Sequence, residues 1–124
     1  MKRIGILHPG EMGVSIAASA QNDEHQVCWV SEGRSQKTKN RADKYGLIDL
    51  TSLANLCQMC DVILSICPPQ FAEVVANQIV DQGFHGLFLD ANAISPQRAR
   101  VIGNKMESTG IQFVDGGIIG GPAW

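Results

Sequence analysis

Short apolar runs alternate with helical patterns along almost the entire chain, and this alternation constrains the fold more than any other feature. The apolar runs are Arg3–Leu7, Gln26–Val30, Leu47–Leu50, Asp61–Cys67, Leu87–Asp90 and Ile111–Asp115. Helical patterns fill the intervals: from Gly13 to about Gln21, from a Ser35 cap to Tyr45, from Thr51 or Ser52 to near Cys60, from Pro69 to Gln82, and from Ser95-Pro96 to about Thr109. Gly46, Gly83 and Gly110 stand where three of these helices should stop. The run Asp-Val-Ile-Leu-Ser-Ile-Cys is nearly all apolar, as suits a strand buried on both faces. Strands of that kind, joined through helices, pair in parallel by right-handed crossovers. The expected architecture is a doubly wound α/β fold: a mainly parallel six-stranded sheet with helices on both faces.

Length and composition agree with one such domain. The chain has 124 residues, 44% of them hydrophobic and 18% charged, enough to bury a core and too few charges for disorder. No apolar run approaches the ~18 residues of a membrane span, and the apolar stretch after Lys2-Arg3 is too short for a secretory signal. A cytoplasmic location and no membrane partner are expected. The net charge of −2 gives no general attraction to nucleic acid. Its distribution is uneven. Between residues 31 and 44, Arg34, Lys37, Lys39, Arg41 and Lys44 face only Glu32 and Asp43, a local excess of three positive charges. That island is either an anion site or a solvated helix face.

The cysteines are Cys28, Cys57, Cys60 and Cys67. Disulfides are not expected in a cytosolic chain. Cys57-Gln58-Met59-Cys60 has the spacing of a metal or redox motif, but no second Cys pair or His pair completes a zinc site. A redox pair usually opens a helix, whereas this one closes one. Buried packing is the expected role, and no metal is expected. His25 and His85 fall in connections and are expected at the surface.

Ligands of doubly wound sheets bind beyond the carboxyl ends of the strands, so the loops after strands matter most. The first reads His8-Pro9-Gly10-Glu11-Met12-Gly13. A Rossmann-type dinucleotide fingerprint has glycine at three places, and this chain has two of them, with His8 at the first. Gly10 would let the backbone approach a pyrophosphate, and Gly13 would let the helix pack closely. The helix amino terminus supplies N–H groups and partial positive charge. The alternative is an ordinary strand–helix turn.

The second loop is Ser31-Glu32-Gly33-Arg34-Ser35-Gln36-Lys37. An acidic residue here usually accepts from the ribose hydroxyls of NAD. Arg34, Ser35 and Lys37 instead offer donors to a 2′-phosphate, and arginine suits bidentate phosphate recognition. A carboxylate disfavours that phosphate, so Glu32 is expected to turn away, and NADP is favoured over NAD. The alternative makes Ser35 a helix cap and the cations solvated. Further strand ends, Cys67-Pro68 and Asn92, border the same edge. Asn92 is either a hydrogen-bonding contact or a turn residue. Asp90 is expected to order its loop rather than to act as an acid or base.

These segments together resemble the amino-terminal domain of the β-hydroxyacid dehydrogenase family, which includes 3-hydroxyisobutyrate and 6-phosphogluconate dehydrogenases. The likeness spans the chain. Ile4 to Gly13 is similar to the family's opening strand and Gly-x-x-Met-Gly loop. Gly33-Arg34-Ser35 is similar to the Asn-Arg-Ser/Thr that holds the 2′-phosphate in NADP-preferring members. Asp90-Ala91-Asn92-Ala93-Ile94-Ser95-Pro96 resembles the segment beside the nicotinamide. Asp115-Gly116-Gly117-Ile118-Ile119-Gly120-Gly121 resembles the substrate-binding stretch. His8 replaces a glycine, Asn92-Ala93 the usual Ser-Thr, and Ile119 a serine of the substrate motif.

The resemblance implies an NADP-binding domain with cofactor contacts at His8, Pro9, Gly10, Glu11, Met12, Gly13, Arg34, Ser35, Lys37, Cys67, Pro68 and Asn92. Gly120 and Gly121 would offer N–H groups to the carboxylate of a small-molecule substrate. It further implies a helical domain, after the point where the sequence stops at Trp124, carrying the catalytic lysine and dimer contacts. Lys105 lies before the last strand and is not that lysine by position, so no catalytic residue is assigned here. Ile118, Ile119 and Trp124 would pack against that half, or form a homodimer patch. Two other classes remain: a stand-alone nucleotide-binding or redox-sensing module, and a partner-binding fragment with a vestigial site.

Overall fold

The computed structural model describes residues 2–7, 25–66, 69–91 and 95–115. Six strands form one parallel sheet: β1 (Arg3–Leu7), β2 (Gln26–Trp29), β3 (Ile48–Asp49), β4 (Val62–Ser65), β5 (Leu87–Asp90) and β6 (Gln112–Asp115). Their order is β3-β2-β1-β4-β5-β6. Every pairing is parallel, with Gly5 beside both Cys28 and Ile63, and Ser65 beside Asp90. The described helices are α1 (Gln36–Lys44), α2 (Leu53–Met59), α3 (Ala72–Asp81, entered through a 3-10 turn at Pro69–Phe71) and α4 (Pro96–Ser108).

Alternation along the strands divides the core into two clusters. Successive side chains of a strand point to opposite faces. Cys28, Ile63 and Phe88 therefore face one side, where they meet Leu56 and Cys57 of α2, Val75 and Ile79 of α3, and Ile102 and Met106 of α4. Val27, Trp29 and Leu64 face the other side, with Ile6, Leu47, Ala91 and Ala42 of α1. Helices thus cover both faces, and the central strands are apolar throughout because neither face meets water.

Local chemistry sets the boundaries. Ser35, Ser52 and Ser95 each cap a helix by accepting from the backbone N–H three residues on, at 3.2, 3.3 and 3.2 Å; each cap contributes ~1 kcal/mol. Ser52, not Thr51, caps α2. The Asp49 carboxylate accepts from Thr51 N at 2.8 Å and Ser31 N at 3.2 Å, which ends β3 after two residues. Thr51 follows with φ +72°. Strand β4 is shorter than its apolar run. Asp61 is drawn off to β1, where its carboxylate accepts from Arg3 N at 3.0 Å.

The chain runs from β1 outward to β3 and then crosses to β4 on the other side of β1. The carboxyl ends of β1 and β4, at Leu7 and Ser65, therefore flank the switch point where such sheets bind ligands.

Candidate functional site

The β2–α1 loop builds one part of this edge. Ser31 to Arg34 form a turn, closed by Arg34 N–H donating to Ser31 O at 3.0 Å. Its third residue, Gly33, has φ +74°, and open space surrounds the position of an added Cβ. Backbone conformation, not crowding, is what favours glycine here. Glu32 N–H donates to Thr51 O at 3.1 Å, tying the loop to the start of α2. Ser35 then caps α1, and its hydroxyl also pairs with that of Thr38 at 3.1 Å.

A concavity of about 260 Å³ opens beside this loop, lined by Leu7, Val30, Glu32, Arg34, Leu53 and Gln78. Three apolar residues and three polar ones suit a ligand with a flat apolar body and a charged or hydroxylated end. Arg34 is half-buried at its rim. Glu32 is exposed yet borders the same concavity, so the structure keeps it at the site rather than clear of it. The first turn of α1 holds no acidic residue, and its last turn holds Arg41 and Lys44. An anion at its amino terminus would meet no opposing carboxylate from that turn.

Of the residues expected at the site from sequence, the structure brings Arg34 to the concavity. It places Ser35 and Lys37, both exposed, at the amino end of α1 next to it. His8, Pro9, Gly10, Glu11, Met12, Gly13, Cys67, Pro68, Asn92, Gly120 and Gly121 lie outside the described residues, as do Ile118, Ile119 and Trp124. Leu53 and Gln78 were missed. They come from α2 and α3, remote in sequence, and no local signal marks them. Ser65 and Asp90, neighbours in register at the carboxyl ends of β4 and β5, are completely buried. Ala91 N–H donates to Ser65 O at 3.1 Å, which holds these ends together.

Cys57 and Cys60 close α2, as the spacing implied, and both are buried. Burial pushes the Cys57 thiol up to about 11. No group of three or more His, Cys, Asp or Glu among the described residues is arranged to hold a metal ion. No described helix is long and apolar enough to cross a membrane.

Comparison with known proteins gives the same fold. An uncharacterized 28.5 kDa protein of Methanothermus fervidus is 30% identical over 118 residues, covering 95% of this chain and 45% of that protein. Among solved structures, Mycobacterium tuberculosis 3-hydroxyisobutyrate dehydrogenase, solved with L-serine, superposes with a TM-score of 0.82 at 24% identity. It covers 98% of this chain and 42% of its own. A variant imine reductase from Myxococcus stipitatus, solved with NAD+, gives a TM-score of 0.82 at 18% identity, covering 98% of this chain and 42% of its own. The chain thus spans less than half the length of these relatives. Residues 3–124 match the model of the NAD-binding domain of 6-phosphogluconate dehydrogenase, and the chain belongs to that family of nicotinamide-cofactor domains.

Proposed function

We propose that this chain is the NADP-holding half of an oxidoreductase that moves a hydride between nicotinamide and a small hydroxy acid or a related substrate. The observation that carries the cofactor preference is the half-buried Arg34 at the rim of the concavity beyond β1 and β2. Its guanidinium is assigned to the 2′-phosphate, with the Ser35 hydroxyl and the Lys37 ammonium beside it at the start of α1. Ser35 already uses its oxygen to cap the helix, so its share of the phosphate contact is the smaller one.

The remaining assignments follow the fold. Gly10 to Gly13, with His8 and Pro9, would cradle the pyrophosphate after β1. Cys67, Pro68 and Asn92 would border the nicotinamide end, after β4 and β5. Gly120 and Gly121 would present N–H groups to a substrate carboxylate. Bound nicotinamide supplies the hydride. This chain's own residues bind and orient it, and a following helical half would bring the lysine that handles the proton.

Arg34→Ala tests the assignment. It should weaken NADPH binding by ~1–3 kcal/mol, the worth of a charge-assisted hydrogen bond, and leave NADH binding nearly unchanged. Equal losses for the two cofactors would remove Arg34 from the 2′-phosphate.

A further inference from the structure

Two connections at the carboxyl edge are tied together, one after β2 and one after β3. Asp49, the last residue of β3, lies beside Trp29 in the parallel register. One oxygen of its carboxylate, Oδ1, accepts from Ser31 N–H at 3.2 Å and from Thr51 N–H at 2.8 Å. Ser31 opens the turn that Arg34 N–H closes. Thr51 immediately precedes Ser52, the cap of α2. A third bond runs the other way, from Glu32 N–H to Thr51 O at 3.1 Å.

Thr51 is strained by this arrangement. Its φ of +72° lies in the left-handed region, which a β-branched residue seldom occupies. Ser52 N–H donates to Leu50 O at 2.8 Å across it, so the chain reverses tightly. Such a conformation persists only where the surroundings over-determine it. Here Asp49 holds the Thr51 N–H and Glu32 holds its carbonyl. Both ends of the tie reach the concavity assigned to the cofactor. Glu32 and Arg34 line it from one connection, and Leu53, the first residue of α2, lines it from the other. Neither Asp49 nor Thr51 lines it.

We propose that Asp49 is a positioning residue for the cofactor: acting through Ser31 and Thr51, it fixes Arg34 and Leu53 relative to each other across the concavity. The inference rests on the cofactor reading above. What Asp49 supplies is an acceptor rather than a charge, since one oxygen takes both bonds. The amide of asparagine offers such an oxygen, and alanine offers none. Without the acceptor, Ser31 N–H and Thr51 N–H lose this partner, and Arg34 is held less firmly at the end of its turn. The loss falls hardest on a 2′-phosphate, because a guanidinium must be correctly placed to bind it through two bonds.

The test is calorimetric titration of the purified wild type, Asp49→Asn and Asp49→Ala with NADPH and with NADH. Asp49→Ala should raise the Kd for NADPH about tenfold, the scale of a lost charge-assisted hydrogen bond, with a smaller rise for NADH. Asp49→Asn should bind NADPH at least as tightly as the wild type. A role confined to stability would lower the melting temperature and the folded fraction, and leave the Kd of the folded chain alone. Should Asp49→Ala not fold, Asp49→Glu, whose carboxylate stands one methylene further out, carries the same expectation. Wild-type affinity in Asp49→Ala, equal losses for the two cofactors, or an Asp49→Asn as weak as Asp49→Ala would overturn the proposal and leave the cofactor reading standing. A wild type that binds neither cofactor would overturn that reading, and the positioning role with it.

Discussion

Arg34 and Glu32 line one concavity, and under the proposed function the balance between them sets the cofactor preference. A guanidinium gains most from a 2′-phosphate, whereas a carboxylate gains from free ribose hydroxyls and repels the phosphate. Both residues line the concavity, so charge alone excludes neither cofactor. Glu32→Gln separates the terms. Loss of the negative charge should tighten NADPH by ~0.5–1 kcal/mol, the scale of a partly exposed charge pair. It should also weaken NADH, whose ribose loses a charged acceptor. Parallel titrations of the variant with both cofactors check this. A variant that leaves NADPH unchanged would place Glu32 outside the phosphate's reach.

The meeting of β1 and α2 is where a single methyl matters. Gly5 sits under Leu56, which is completely buried and has no room to retreat. Gly5→Ala should cost about 1–3 kcal/mol by overpacking, read as a lower midpoint in denaturant with an unchanged slope. Trimming the partner in Gly5→Ala/Leu56→Val should recover part of that loss; a fully additive double variant would deny the contact. The same helix imposes a pH limit. Burial raises the folded Cys57 thiol from 9.0 to about 11. Its contribution to stability is complete below pH 9 and is lost as pH rises through 11. In Cys57→Ala, pH-dependent denaturation curves should lack this part of the alkaline decline.

Elements were more legible in the sequence than the site. Apolar runs, serine caps and glycine stops are local signals, and they located every described strand and helix to within a few residues. Of the two caps the sequence offers for α2, Ser52 is the one used, because the Asp49 carboxylate holds Thr51 N–H; that is a choice between alternatives rather than an error. The errors came from contacts made at a distance. The Asp61 carboxylate binds the β1 backbone, so β4 starts late. Arg34 was visible because residue type and loop position coincide. Leu53 and Gln78 were not, because only tertiary packing of α2 and α3 brings them to the concavity. Buried packing, expected for Cys57 and Cys60, is what the structure shows.

At the scale of the whole molecule, each end of the sheet carries a concavity. The wider cleft, about 640 Å³, lies at the amino ends of the strands, bordered by Lys2, Asp61, His85 and Gln112. The smaller concavity, about 260 Å³, lies at the carboxyl ends, where strand order reverses at β1. The proposed cofactor site follows topology, not volume: at the carboxyl edge a post-strand loop meets the amino end of α1. Calorimetric titration of the purified chain with NADPH and, in parallel, with NADH tests this most directly. The account predicts saturable binding of one cofactor per chain, tighter for NADPH. Failure to bind either, or a clear preference for NADH, would contradict it.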